Sequence, residues 1–169
     1  MKHLIIAAAA CAAVAHAAAA AEYLIGSQLH ERDMQIYANY LIGPEIAPMV
    51  PNMPTGADII HLEADIHATT ANAHGFPDGG WIPYLTVQYT LEKQGTTWKT
   101  AGELRPMTAK DGPHYGNNVK MNGPGRYALV LRISPPETNG FLHHADKRTG
   151  VPDWWKPFSV SFDFSYPQE

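Results

Sequence analysis

Two histidines and two carboxylates alternate in the stretch His61-Leu62-Glu63-Ala64-Asp65-Ile66-His67. Side chains of an extended chain alternate faces, so His61, Glu63, Asp65 and His67 share one face and Leu62, Ala64 and Ile66 the other. A polar strand face is ordinarily a solvated outer surface. Lysine, threonine or serine would be the commoner choice there, and imidazole and carboxylate are ligands for first-row metals. Further along, Asp111-Gly112-Pro113-His114-Tyr115-Gly116 reads as one histidine held between two glycine-bounded turns. An imidazole on a fixed loop can bind a metal or move a proton near neutral pH. Met107, in Leu104-Arg105-Pro106-Met107, is core filler by default. Beside imidazoles its thioether would favour a soft ion such as Cu(I), whereas imidazole and carboxylate also suit Fe(II), Mn(II), Zn(II) or Cu(II). The adjacent pair His143-His144 offers one side chain to any given site, because neighbours in an extended segment face opposite ways.

These residues need a scaffold, and the alternation of apolar and polar positions predicts strands. Phe158, Val160, Phe162, Phe164 and Tyr166 alternate with Ser159, Ser161, Asp163 and Ser165, and Leu85, Val87, Tyr89 and Leu91 with Thr86, Gln88 and Thr90. Strands are expected at about 31–42, 58–68, 83–93, 98–107, 126–134 and 157–166. No long segment repeats at helical spacing. Short strands separated by proline and glycine predict an all-β, Ig-like antiparallel sandwich. It would carry long functional loops at 69–82, 108–125 and 135–156. The run Trp154-Trp155-Lys156-Pro157-Phe158 is expected to anchor the last loop.

The N-terminus reads as a secretory leader over residues 1–21: a basic start, an apolar run from Leu4 to Val14, then Ala19-Ala20-Ala21 before Glu22. The alanines before Cys11 make a poor lipidation box, so a cleaved leader is expected, leaving a cysteine-free domain over 22–169. That length supports one domain with its own core. A net charge of −4 argues against nucleic acid and an anionic membrane surface as partners. After leader cleavage the domain is not expected to insert in a membrane. Zinc-finger, HExxH, G-x-S-x-G and Walker patterns are absent from the sequence.

Taken together the motifs resemble the periplasmic iron-uptake proteins of the P19 and Tp34 type, the Fe2+ transport proteins. The matching segments are 61–68, 81–87, Pro106-Met107, 111–116, 149–151 and 154–158, in family order. The resemblance implies a homodimer with metal sites near its interface, loaded with copper in isolated proteins and tied to iron uptake in the cell. It implies His61, Met107, His114 and His144 as ligands, with Glu63 joining or adjusting the site and His144 a candidate for donation by the partner subunit. An inner-membrane iron permease as recipient is a further family implication. The chain departs from its relatives at Ile46, where they carry a methionine, leaving Met49 or Met53 as substitutes, and at Leu142, where they often carry a histidine.

The resulting expectation is a periplasmic, non-enzymatic protein that binds copper and iron and supports ferrous iron uptake. A copper chaperone or sequestering protein is the alternative that Met107 motivates. An Ig-like binding module without metal is the alternative that the fold class motivates. Neutral imidazoles are required for binding, so affinity should fall as the pH drops through about 6.5.

Overall fold

A computed structural model describes residues 22–48, 50–51 and 53–168. The expected leader, residues 1–21, and Met49 lie outside the described residues. Among the described residues there are nine strands: β1 (Glu22–Leu24), β2 (Leu29–Glu31), β3 (Met34–Ile42), β4 (Ile59–Ala68), β5 (Thr86–Lys93), β6 (Lys99–Ala109), β7 (Gly112–Lys120), β8 (Gly125–Ser134) and β9 (Phe158–Tyr166). All pairings are antiparallel, in the order β1-β3-β4-β7-β6-β5-β8-β9, with β2 also on β3. One strand links the two layers. Residues 99–104 of β6 pair with β5, and residues 105–109 pair with β7. A strand that changes sheets in mid-course is how a sandwich turns a corner. The all-β sandwich predicted from alternation is therefore what the chain forms.

The core lies between the inner faces. Ile36, Ala38 and Tyr40 of β3 and Ile60, Leu62, Ala64 and Ile66 of β4 are fully buried on one side. Val87, Leu91, Leu129, Leu131 and Ile133 are fully buried on the other, with Phe162 and Phe164 almost so. The period-2 pattern of β4 thus sends its apolar set inward, and His61, Glu63, Asp65 and His67 fall on the outer face of their sheet.

All six expected strands are present within a few residues of their predicted limits. The expected loop 108–125 is a correction. It contains β7, and the turn is confined to Lys110-Asp111, closed by the pair Ala109–Gly112. His114 is therefore a strand residue paired with Met107, and not part of a turn. The sequence Gly112-Pro113-His114-Tyr115-Gly116-Asn117-Asn118-Val119 lacks apolar alternation because only Tyr115 and Val119 face the core. The loops 69–82 and 135–156 do lack strands of their own, apart from a bridge at Trp81 and a 3-10 turn at Pro136–Asn139. The last loop is pinned as expected: Trp155 is buried, and Trp154 stacks on His74 at 5.1 Å.

Tyr115 ties this loop region to the site strand. Its hydroxyl donates to the Ile82 carbonyl (2.8 Å) and accepts from the Leu85 amide (2.9 Å). Both contacts are buried, so removing the oxygen orphans an amide at a cost of about 1–3 kcal/mol. Tyr115→Phe should accordingly lower the denaturation midpoint without changing the fold. An unchanged midpoint would show that the 82–85 segment does not depend on this bond.

Candidate metal centre

Cross-strand register assembles the site on the outer face of β3, β4, β7 and β6. Residues directly paired in an antiparallel ladder point to the same face. His61 pairs with Asn118, Glu63 with Asn39 on one side and Gly116 on the other, and Met107 with His114. The alternating residues His114, Gly116 and Asn118 of β7 therefore lie beside His61 and Glu63 of β4.

Although this is an outer face, His61, Glu63 and His114 are 2%, 7% and 5% exposed. One ligand atom from each lies within 4.8 Å of the others. Both imidazole Nε2 atoms approach the same carboxylate oxygen, Glu63 Oε1, at 3.5 Å from His61 and 3.3 Å from His114. Neither nitrogen makes a hydrogen bond. Buried polar atoms are almost always paired, so two unpaired nitrogens aimed at one carboxylate call for a missing partner. A cation between them would supply it.

Gly116 makes the convergence sterically feasible. A Cβ there would lie 2.6 Å from His61 Nε2 and 3.2 Å from Met107 Sδ. Glycine thus leaves room for both donor atoms above the strand, and the Met107 sulfur joins the nitrogens and the carboxylate on one side of the ladder. The combined donor set, two imidazoles, one carboxylate and a thioether, fits a borderline ion such as copper or ferrous iron.

The electrostatics favour a neutral apo site. Burial lowers the pKa of His61, opposed by its hydrogen bond from Nδ1 to Asn118 Oδ1 (2.7 Å) and reinforced by His114. Burial raises Glu63 to about 8, with repulsion from Asp65, Glu22 and Asp111 adding to it. A second group, Glu22, Glu63 and Asp65, shares Glu63 with the first. Burial also raises Asp65 and Glu22. Without a bound cation this corner of the sheet holds its carboxyl protons more tightly than usual.

Of the five residues expected from sequence, His61, Glu63, Met107 and His114 come together. His144 does not join any of the ligand groups formed within one chain among the described residues. It is exposed in the last loop, with Nδ1 2.8 Å from Thr149 Oγ1. That hydroxyl donates its proton to Asp146 Oδ2 at 2.5 Å. The hydroxyl must then accept from His144 Nδ1, leaving Nε2 as the unprotonated nitrogen. His67 binds the Gly79 carbonyl through Nδ1 (2.9 Å). His143 lies 3.7 Å from Asp153. Sequence reasoning did not single out Asn39, Gly116 or Asn118 as site residues. Glycine and asparagine carry no metal-ligand signal, and only the registers of β3 and β7 against β4 give them a role.

The chain is similar to several known proteins along nearly its whole described length. The family model described as Fe2+ transport protein matches residues 19–167. A UPF0423 protein of Brucella abortus is 43% identical over 157 residues, spanning 91% of this chain and 86% of the relative. A copper-bound variant of FetP from uropathogenic Escherichia coli superposes with a TM-score of 0.84 at 44% identity, covering 87% of this chain and 98% of that one. The copper-reconstituted P19 protein of Campylobacter jejuni gives 0.83 at 43% identity, covering 87% and 97%. A metal-ready cluster, an all-β sandwich and a match over nearly the whole domain make one conclusion plain: this chain belongs to the Fe2+ transport protein family.

Proposed function

We propose that the protein binds a transition-metal ion at His61, Glu63, Met107 and His114 and serves ferrous iron uptake in the periplasm. The observation that carries this reading is the pair of buried, unbonded Nε2 atoms aimed at Glu63 Oε1. The copper-bound states of FetP and P19 support copper as an ion that the site accepts, and family membership supports iron as the cargo. Manganese and zinc suit the same nitrogen and oxygen donors. Secretion through cleavage after residue 21, and release of iron to an inner-membrane permease, complete the proposal. No helix among the described residues is long and apolar enough to cross a membrane.

In this reading a second copy of the chain supplies His144, and the protein acts as a homodimer. Exposure of His144 and the bare Nε2 that Thr149 leaves it support donation outward, into a partner's site. The residues act by binding alone: the imidazoles and thioether hold the ion, and Glu63 exchanges its proton for the cation. A copper-handling role is the second reading, and the specific observation behind it is the Met107 sulfur beside His61. Met107→Leu should then weaken Cu(I) far more than Fe(II). A deletion strain sensitive to copper excess but normal under iron limitation would favour copper handling over iron uptake.

The ligand assignment is tested by titrating Cu(II) and Mn(II) calorimetrically into wild type and His114→Ala. Loss of an imidazole should weaken binding at least tenfold, and an unchanged affinity and stoichiometry would remove His114 from the site. Sharing of His144 has its own test. Mixed dimers of His114→Ala and His144→Ala chains should regain one full-affinity site of the two, because a single site then has both histidines intact. If His144 serves its own chain, mixing restores nothing.

The pH dependence follows from Glu63. A cation must displace its proton, so affinity should climb as pH rises through about 8, and binding at pH 7 should release a proton to buffer. Glu63→Gln should abolish that release. Stability of the metal-free protein moves the other way. Burial holds the folded-state value well above that of an ordinary glutamate, so protonation favours the fold and this contribution is lost as pH rises through about 8. Thermal melts from pH 6.5 to 9 should decline in the metal-free wild type and flatten in Glu63→Gln. Parallel profiles would contradict a buried, proton-holding Glu63.

A further inference from the structure

His61 has two ring nitrogens and only one can coordinate toward Glu63. Its Nδ1 lies 2.7 Å from Asn118 Oδ1, and both side chains are buried, at 2% and 9% exposure. The other end of the Asn118 amide donates from Nδ2 to the Pro54 carbonyl at 2.9 Å. A carbonyl can only accept, so Pro54 fixes which end of the amide carries the hydrogens. The oxygen end, also only an acceptor, is left facing His61. The proton between them must then sit on Nδ1. A neutral imidazole carries a single N–H, so Nε2 is left with a bare lone pair. That is the nitrogen found buried without a hydrogen bond, near Glu63 Oε1.

Building on the metal reading above, we propose that Asn118 is a positioning residue: held by Pro54, it locks His61 in the Nδ1–H tautomer and presents the Nε2 lone pair to the incoming ion. The opposite tautomer would set two lone pairs against each other at 2.7 Å inside a buried contact, and a ring flip would turn Nε2 away from Glu63. Partners of this kind fix both ring orientation and tautomer of a ligating histidine, and their loss typically costs 10–100-fold in metal affinity. The lock reaches beyond the sheet. Pro54 belongs to the connection between β3 and β4, whose residues Gly43, Glu45, Ile46 and Met53 line a cleft of about 440 Å³ together with His61 and Asn118. The outer face of β7 therefore provides a ligand at His114, a gap at Gly116 and a lock at Asn118.

The test reads the tautomer in the metal-free protein. In protein with 15N-labelled histidine imidazoles, two-bond nitrogen–proton correlations distinguish a protonated Nδ1 from a protonated Nε2. The His61 signals are identified by their loss in His61→Gln. Wild type should show Nδ1 protonated and Nε2 bare. Asn118→Leu, close in shape but without an acceptor, should lose the single tautomer and bind Cu(II) 10–100-fold more weakly. Asn118→Asp, which keeps an acceptor, should retain the Nδ1–H form. A protonated Nε2 in wild type overturns the proposal without need of any variant, as does an unchanged tautomer in Asn118→Leu. If wild type binds neither Cu(II) nor Mn(II) while its Nδ1–H tautomer depends on Asn118, the lock stands and the metal reading falls.

Discussion

The site rests on a single constraint: two buried imidazole nitrogens, neither with a hydrogen bond, face the same buried carboxyl oxygen. Each of these nitrogens loses its hydration without a hydrogen bond in return, and that costs free energy unless something else arrives. The surrounding sandwich can bear the cost. Fully buried residues of β3 and β4 anchor the opposite face of the same sheet, so the polar donors are held by strands that have independent reasons to stay in place. A site on loops would relax until its donors found each other. Here the ladder keeps them converged, and in the proposed reading a cation is the partner that relieves them.

Strand β7 does most of the arranging. Its inward residues, Tyr115 and Val119, belong to the core. Its outward residues carry His114, the Gly116 opening and the Asn118 contact to His61. Because side chains alternate at every residue, a slip of one position in the β4–β7 register would turn His114 inward and Tyr115 outward. Core packing therefore also fixes the arrangement of the candidate donors. The crossover in β6 has the same dual character. Leu104, the last residue paired with β5, is buried, whereas Met107, beyond the crossing, is half-buried beside the site.

Much of this was legible in the sequence wherever one face of a strand was apolar. Alternation in 158–166 and 83–93 predicted β9 and β5, and alternation in 61–67 predicted the shared polar face of β4. Strand β7 was not legible. Its outward positions are occupied by histidine, glycine and asparagine, which carry no apolar signal, and Asp111-Gly112-Pro113 imitates turn chemistry. The local rule fails where function displaces it. His61, Glu63, Met107 and His114 were found because their side chains carry ligand chemistry. Asn118 and Gly116 act through a hydrogen bond and an empty volume, which no residue type announces. Glu22, next to the expected cleavage point, likewise sits within 4.8 Å of Glu63 and Asp65 through its carboxylate, a proximity that only the β1–β3 pairing creates.

The most direct measurement is a crystal structure of protein soaked in Cu(II) or Fe(II), with the metal located by anomalous scattering. The account predicts a peak within about 2.0–2.4 Å of His61 Nε2, His114 Nε2 and the Met107 sulfur, with Glu63 in or beside the coordination sphere. A fully occupied metal bound elsewhere, with His61 and His114 Nε2 still unligated, would contradict it.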